Sequence, residues 1–198
     1  MNYCSPSIQS SFAVNNLGES LYNKIVELNP KNVLELGVLH GYSSHVFLQA
    51  LGILGGPRTL VSVDLFEDYE YNKSDINTYT SNLIGIKKSA ANVVHHVKKI
   101  DILQDIHCLE EDFIDADLVF IDISNDGNNL LMILEQCQCP VLFEGGSEER
   151  DQVPWMIKYH RTPISSIKKC GYTFSLVDSR YPSLSFCDVQ ASDYRSSI

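Results

Sequence analysis

The chain has 198 residues, of which 44% are hydrophobic and 20% are charged, so it is long and apolar enough to bury a full core. Its formal net charge of −10 disfavours the phosphate backbone of nucleic acid as a general partner. No leader pattern opens the sequence, and no stretch has the apolar length of a membrane span. These features predict one cytoplasmic domain over residues 1–198, with a loosely ordered lead-in at residues 1–16.

Cysteine spacing gives no sign of a zinc site or a disulfide framework. The six cysteines contain no C-x-x-C pair and are scattered along the chain. A free cysteine behaves as a small buried hydrophobic residue. The sequence therefore predicts reduced thiols, most of them buried.

In chain order, apolar runs alternate with apolar stripes at helical spacing. Predicted strands lie at 33–36, 59–63, 93–100, 116–121, 140–144, 172–177 and 183–189. Predicted helices lie at 17–28, after the glycine turn to about 51, and at 76–91, 103–109, 128–137 and 153–160. Residues 65–75 are predicted as a polar, tyrosine-containing loop.

This alternation predicts an α/β fold, a Rossmann-like doubly wound sheet of seven strands that is mostly parallel and ends in an antiparallel hairpin. Ligands in such sheets bind beyond the carboxyl ends of the strands. Five acids end successive predicted strands: Glu35, Asp64, Asp101, Asp122 and Glu144. Each alone is compatible with a capping acid, but together they predict a rim that repels phosphate and attracts a cation.

Residues 32–51 predict a strand, a glycine turn and a helix, an arrangement that brings backbone N–H groups close to a ligand. Glu35 stands two residues before Gly37, and Gly41 follows, giving E-x-G-x-x-x-G. A dinucleotide site requires G-x-G-x-x-G and no acid facing the pyrophosphate. The turn therefore favours a ligand without phosphate that carries positive charge, such as S-adenosylmethionine.

Residues 35–43 read Glu-Leu-Gly-Val-Leu-His-Gly-Tyr-Ser. This stretch resembles the first motif of class I S-adenosylmethionine-dependent methyltransferases, in the form found in catechol and caffeoyl-CoA O-methyltransferases and related small-molecule O-methyltransferases. The resemblance extends to the acid after the second strand, to Asp-Leu-Val-Phe-Ile-Asp at the fourth, and to the closing hairpin. It covers about residues 17–189.

The resemblance implies a cofactor site along the rim. The residues that it assigns to the cofactor are Glu35, Gly37, Val38, Gly41, Tyr42, Ser43, Asp64, Leu65, Asp101, Ile102 and Asp122. Within this set, the glycines would lie against the methionine portion, where Glu35 would fix the turn or meet the ammonium through water. Ser43 would bond the carboxylate and Asp64 the ribose hydroxyls. Leu65 would pack on the adenine, Asp101 and Ile102 would border its edge, and Asp122 would lie near the sulfonium.

At the acceptor end the chain departs from the family pattern. Metal-dependent relatives follow the fourth-strand aspartate with a histidine-containing segment and end the fifth strand with Asp-Asn or Asp-Asp. Here the corresponding segments are Ile-Ser-Asn-Asp at 123–126 and Glu-Gly-Gly at 144–146. Asp122 and Glu144 are left as candidate bases, and as candidate ligands of a Mg²⁺ ion completed by water or an acceptor diol.

The leading hypothesis is methyl transfer from S-adenosylmethionine to a hydroxyl of a small-molecule acceptor, with a homodimer left open. Trp155, Met156 and Tyr159 lie at helical spacing, which is typical of core packing but also suits the wall of an acceptor pocket. Two alternatives stay open: an NAD-type oxidoreductase, and a non-catalytic descendant that keeps the fold and perhaps the cofactor.

Overall fold

The computed structural model describes residues 2–66 and 75–191, where seven strands form one sheet in the order β3-β2-β1-β4-β5-β7-β6. The strands are β1 (Asn32–Leu36), β2 (Arg58–Asp64), β3 (Val93–Lys99), β4 (Leu118–Ile121), β5 (Val141–Glu144), β6 (Ser175–Asp178) and β7 (Leu184–Cys187). Strands β1 to β5 pair in parallel, whereas β7 is antiparallel to both β5 and β6. The predicted doubly wound sheet with a closing hairpin is confirmed.

Helices flank this sheet on both faces. They are α1 (Ser11–Val14), α2 (Leu17–Leu28), α3 (Tyr42–Leu54), α4 (Ile76–Ser89), α5 (Glu110–Asp115), α6 (Gly127–Leu134), α7 (Glu148–Asp151) and α8 (Pro154–Lys158). Short 3₁₀ helices lie at Ile106–Leu109, Ile164–Cys170 and Val189–Ala191. In the parts of the chain that the structure describes, no helix has both the length and the apolar content to cross a membrane.

Side chains alternate between two hydrophobic cores because successive residues of a strand point to opposite faces of the sheet. Leu118 and Phe120 of β4 pack against α1 to α4 on one face. Val119 and Ile121 pack against α5, α6 and the 3₁₀ helix Ile164–Cys170 on the other. All four residues of β4 are buried, as expected for a central parallel strand covered on both sides.

The lead-in expected to be loosely ordered contributes to the first core. Phe12 of α1 is 1% exposed and meets Phe120 edge to face, with ring centroids 6.2 Å apart. Tyr3 is also held, by a hydrogen bond between its hydroxyl and that of Tyr42 at 2.9 Å. Two separated aromatic residues in a polar stretch have no periodicity, so the sequence did not indicate this packing.

Two of the predicted helices differ clearly from the observed ones. The helical turn expected at 103–109 begins only at Ile106 and continues as α5, whose acidic first turn suits the positive end of the helix dipole. The helix expected at 153–160 is the short α8, preceded by a separate α7, because Pro154 occupies a first-turn position and ends the helical hydrogen bonding before it. The predicted loop at 65–75 lies mostly outside the described residues.

Candidate functional site

The glycine turn between β1 and α3 lies at the carboxyl edge of the sheet. Gly37 and Gly41 have φ of +88° and +90°, in the left-handed region that other residues rarely adopt. A Cβ on Gly37 would lie 2.1 Å from the Asp122 carbonyl oxygen, and one on Gly41 would lie 3.0 Å from the Tyr79 ring. Both glycines are therefore required by the packing of the turn against β4 and α4.

Asp64, the acid that ends β2, holds this turn in place. Its Oδ2 accepts the backbone N–H groups of Val38 and Leu39 at 2.8 and 3.0 Å. Its Oδ1 accepts the N–H of Phe66 at 2.8 Å. An ionised carboxylate offers about four lone-pair positions, so Asp64 retains capacity to accept a hydroxyl. Leu65 is partly buried beside it.

Glu35 lies beneath the turn and not at its mouth. Its side chain is 0% exposed, and its Oε2 accepts the hydroxyls of Ser44 and Ser62, each at 2.6 Å. Burial raises the pKa of Glu35 to about 7, although the serine hydroxyls oppose the shift by bonding its ionised form. Its Oε1 has no hydrogen-bond partner among the residues that the structure describes.

A buried polar network extends from Glu35 through four further elements. The Tyr79 hydroxyl on α4 donates to Ser44 Oγ at 3.1 Å, while His95 Nε2 on β3 lies 3.0 Å from Ser62 Oγ and 3.1 Å from the Tyr79 hydroxyl. Because both serines donate to Glu35, this geometry requires the proton of His95 on Nε2. Burial lowers the pKa of His95 to about 3, so the ring is neutral.

The sequence does not indicate this network, because the pattern around His95 marks it only as part of a strand. Its members are far apart in sequence, and only the parallel pairing of β1, β2 and β3 brings them together. The network holds the buried residues on which the turn rests, whereas Asp64 bonds the backbone of the turn itself.

The remaining residues assigned to the cofactor lie in different environments. Ser43, at the start of α3, is 5% exposed, and Val38 in the turn is 5% exposed. The Tyr42 side chain points away from the turn, because its hydroxyl bonds that of Tyr3 beneath the N-terminal segment. Asp101 Oδ1 accepts the N–H groups of Leu103 and Gln104, and Ile102 is 4% exposed within the second core.

At the acceptor end, Glu144 is held in a buried ion pair that the sequence did not indicate. Its Oε1 accepts Nε and Nη2 of Arg150 at 3.0 and 2.8 Å, and Nδ2 of Asn125 at 3.2 Å. Arg150 is 5% exposed, and its guanidinium lies 5.0 Å from the Trp155 ring centroid and 5.5 Å from that of Tyr181. Arg150 lies between a predicted strand and a predicted helix, so no role was predicted for it.

Asp122 and Glu144 are brought together, as predicted from neighbouring strands. Burial raises the pKa of Asp122 well above its usual range, and the negative charge of Glu144 and a hydrogen bond between the two carboxyls add to the shift. Asp122 therefore holds its proton more readily than an ordinary aspartate does. Arg150 opposes the shift.

The Mg²⁺ site expected between Asp122 and Glu144 does not fit these residues. In residues 2–66 and 75–191, no three His, Cys, Asp or Glu side chains are grouped so that they could hold a metal ion. Mg²⁺ prefers six oxygen ligands, but the Arg150 guanidinium already forms an ion pair with Glu144, and burial raises the pKa of Asp122 well above its usual range. The residues at this position therefore do not support the expected metal ion.

The two glycines after Glu144 are explained by packing. Gly145 and Gly146 have φ of +102° and +96°. A Cβ on Gly145 would lie 2.7 Å from Asn125 Oδ1, and one on Gly146 would lie 2.5 Å from Ser185 Oγ. A residue with a side chain, such as the second acid of the metal-dependent pattern, would displace Asn125 from Glu144.

Comparison with protein families gives one match. A family described as "Methyltransferase domain" matches residues 34–147, more than half of the chain, from β1 to the residues after β5. A comparison with curated proteins found no match.

Solved structures share the fold at low sequence identity. An O-methyltransferase from Bacillus cereus, solved in complex with SAH, has a TM-score of 0.61 at 16% identity, over 93% of this chain and 84% of that one. The O-methyltransferase of tomaymycin synthesis from Streptomyces achromogenes, solved with SAM, has a TM-score of 0.53 at 15% identity, over 92% and 81%. A TDP-rhamnose 3′-O-methyltransferase of calicheamicin biosynthesis has a TM-score of 0.59 at 17% identity, over 92% and 87%.

Proposed function

The chain belongs to the methyltransferase domain family, and we propose that it transfers a methyl group from S-adenosylmethionine to a hydroxyl of a small molecule. The observation that carries the proposal is the E-x-G-x-x-x-G turn, which Asp64 fixes at the carboxyl edge of β1 and β2. The SAM- and SAH-bound O-methyltransferases of the same fold support the cofactor.

This arrangement supports the following assignments of residues to the cofactor. The turn at Gly37 to Gly41 and the start of α3 at Ser43 receive the methionine portion, where free N–H groups of the helix favour its carboxylate. Asp64 receives the ribose hydroxyls through its remaining lone pairs, and Leu65 packs on the adenine. Glu35 acts from beneath, because its carboxyl is enclosed by Ser44 and Ser62.

When bound, S-adenosylmethionine supplies an electrophilic methyl group. Transfer of that methyl group to an acceptor oxygen would require the hydroxyl proton to leave, and a residue of this chain would take it. The chain contributes mainly orientation, together with a group that takes the proton. Asp122 and Glu144 are the candidates for this group, because they lie together beside Arg150 and the pKa of Asp122 is raised well above its usual range.

One observation weighs against the NAD-type alternative. A dinucleotide turn requires G-x-G-x-x-G, and the E-x-G-x-x-x-G turn has no third glycine at that spacing. A non-catalytic descendant would bind the cofactor without turning it over. Formation of S-adenosylhomocysteine from S-adenosylmethionine, measured with a panel of phenols and sugars, tests the proposal. We expect S-adenosylhomocysteine to form only when a suitable acceptor is present. Cofactor binding without turnover on any acceptor would favour the non-catalytic alternative.

A further inference from the structure

Glu35 is a buried acid that lies beneath the glycine turn, surrounded by hydroxyl groups. In residues 2–66 and 75–191, it forms no ion pair with a lysine or an arginine. An ionised carboxylate is costly to bury without a counter-charge, so such surroundings favour the protonated form. The titratable groups around Glu35 are Asp64 on β2, Tyr79 on α4, His95 on β3 and Asp122 after β4, with Lys87 of α4 acting on His95.

The hydrogen bonds of Glu35 determine where its proton can lie. Among the described residues Oε1 has no hydrogen-bond partner, whereas Oε2 lies 2.6 Å from both Ser44 Oγ and Ser62 Oγ. The Ser43 hydroxyl also lowers the pKa of Glu35, but it makes no hydrogen bond of ordinary geometry to Oε1. A proton on Oε1 would therefore have no acceptor, and the protonated acid donates from Oε2 to a serine.

Both serines lead to the same nitrogen atom. Ser62 Oγ lies 3.0 Å from His95 Nε2. Ser44 Oγ is joined to that nitrogen through the Tyr79 hydroxyl, which lies 3.1 Å from each of them. A hydroxyl that accepts the proton of Glu35 donates its own hydrogen onward, so either chain brings a hydrogen to Nε2.

Two arrangements of hydrogens follow from this geometry. When Glu35 is ionised, the serines donate to it and the hydrogen of the His95 ring lies on Nε2. When Glu35 is protonated, Nε2 accepts a hydrogen bond, and the neutral ring carries its hydrogen on Nδ1. Burial lowers the pKa of His95 to about 3, so the ring is neutral in both arrangements. Nδ1 has no hydrogen-bond partner in the part of the chain that the structure describes, so no side chain there fixes one tautomer.

The cofactor would place positive charge near Glu35. This acid stands two residues before Gly37 of the turn. It acts electrostatically on Asp64 and Asp122, which are assigned to the ribose and to the surroundings of the sulfonium. S-adenosylmethionine carries a sulfonium and an ammonium group against one carboxylate, and a nearby positive charge favours the ionised form of a carboxyl.

We propose that Glu35, Ser62 and His95 form a proton relay, with Ser44 and Tyr79 as a parallel chain, through which binding of S-adenosylmethionine releases a proton. The carboxyl proton passes to a serine, each hydroxyl passes its hydrogen one step along, Nε2 gains a hydrogen, and Nδ1 loses its proton to water. His95 acts through Glu35 and is a positioning residue. The inference rests on the proposed function for its ligand, whereas the link between Glu35 and His95 is a property of the chain alone.

The first test counts protons. Calorimetric titration with S-adenosylmethionine, in two buffers of different ionisation enthalpy, gives the number released on binding. At pH 6.5 we expect roughly half to one proton from the wild type, because Glu35 with a pKa of about 7 is mostly protonated there. Glu35→Gln keeps the shape of the side chain but cannot ionise, and it should release close to none. His96→Gln is the matched control, since His96 is the exposed neighbour of His95 on β3, and it should behave as the wild type does.

The second test needs neither ligand nor a variant of Glu35. Nitrogen-15 spectra of histidine side chains distinguish the two neutral tautomers, and His95→Gln identifies the His95 signals by removing them. In the ligand-free protein we expect the ring hydrogen to move from Nδ1 to Nε2 as the pH rises from 5.5 to 8. Saturating S-adenosylmethionine at pH 5.5 should shift the ring toward the Nε2–H form.

The two measurements separate the parts of the proposal. A His95 tautomer that does not change with pH would overturn the relay. Equal proton release from the wild type and Glu35→Gln would overturn its coupling to the cofactor. Neither result would affect the proposed function, which fails separately, and the coupling with it, if S-adenosylmethionine does not bind.

Discussion

Asp64 Oδ2 accepts the backbone N–H of Val38 at 2.8 Å, so the acid that ends β2 fixes the turn that follows β1. A second backbone bond, from Leu39, strengthens the same contact. The proposed ribose-binding residue therefore also shapes the loop that receives the methionine portion. A substitution of Asp64 should weaken the contacts of both the ribose and the methionine portion.

We expect Asp64→Ala to weaken S-adenosylhomocysteine binding by about 1.5–3 kcal/mol, because charge-assisted hydrogen bonds to the ligand and to the turn are both lost. Titration calorimetry measures the change. The matched control is Asp117→Ala: Asp117 Oδ2 also accepts two backbone N–H groups, from Lys31 and Asn32, but at the opposite edge of the sheet. The control should bind as the wild type does, and equal affinity in all three proteins would show that Asp64 has no part in the site.

Gly37→Ala should destabilise the fold far more than Gly56→Ala. Both glycines have a positive φ, but a Cβ on Gly37 would lie 2.1 Å from the Asp122 carbonyl oxygen, whereas one on Gly56 would meet nothing within 4 Å. In both variants the positive φ costs about 1 kcal/mol of unfolding free energy, because alanine is strained there. The steric clash adds to this cost only in Gly37→Ala. Urea unfolding of both variants measures the difference. Equal losses of unfolding free energy in the two variants would mean that the turn is not closely packed against the end of β4.

Glu35 makes the stability of the fold depend on pH. Burial raises its pKa in the folded state to about 7 from an ordinary value of 4.5, so the folded protein binds a proton that the unfolded chain has released between these values. The contribution of Glu35 is therefore most favourable below about pH 4.5 and is lost as the pH rises through about 7. One pKa unit corresponds to about 1.4 kcal/mol, which puts the whole effect at roughly 3 kcal/mol.

The measurement compares urea unfolding of the wild type and Glu35→Gln at pH 5.5 and pH 8. His95 changes stability in the opposite direction at acid pH and Asp122 in the same direction, and both are present in the two proteins. The charge of Glu35 is the smallest of the causes of the raised pKa of Asp122, so the difference between the proteins reports mainly on Glu35. The gap in free energy of unfolding, wild type minus variant, should fall from pH 5.5 to pH 8. A gap that is constant with pH would contradict a raised pKa.

The sheet and the glycine turn were predictable because their signals are local. The buried run at 118–121 and the glycine spacing at 37 and 41 each specify their own structure over a few residues. The ends of elements were less certain, as with α5, where acids stabilise a helix start that has little apolar periodicity.

The side-chain networks of the site were not predictable in this way. Arg150 reaches Glu144 because Gly145 and Gly146 turn the chain back after β5, and no spacing rule marks an arginine in a polar segment as buried. Similarly, His95 and Tyr79 meet Glu35 and its serines only through the pairing of three strands and the position of α4. Paired acids at strand ends indicated a metal ion, but the cation that the fold supplies is a guanidinium.

The most direct test of the central claim is thermal unfolding with and without S-adenosylhomocysteine, with NAD as the comparison ligand. At a hundredfold excess over Kd, binding to the folded state adds about 2.7 kcal/mol, which for a chain of this size raises Tm by roughly 5–10 °C. We predict a rise of this order with S-adenosylhomocysteine and none with NAD. An unchanged Tm at millimolar S-adenosylhomocysteine, or an equal rise with NAD, would contradict the assignment of the turn to S-adenosylmethionine.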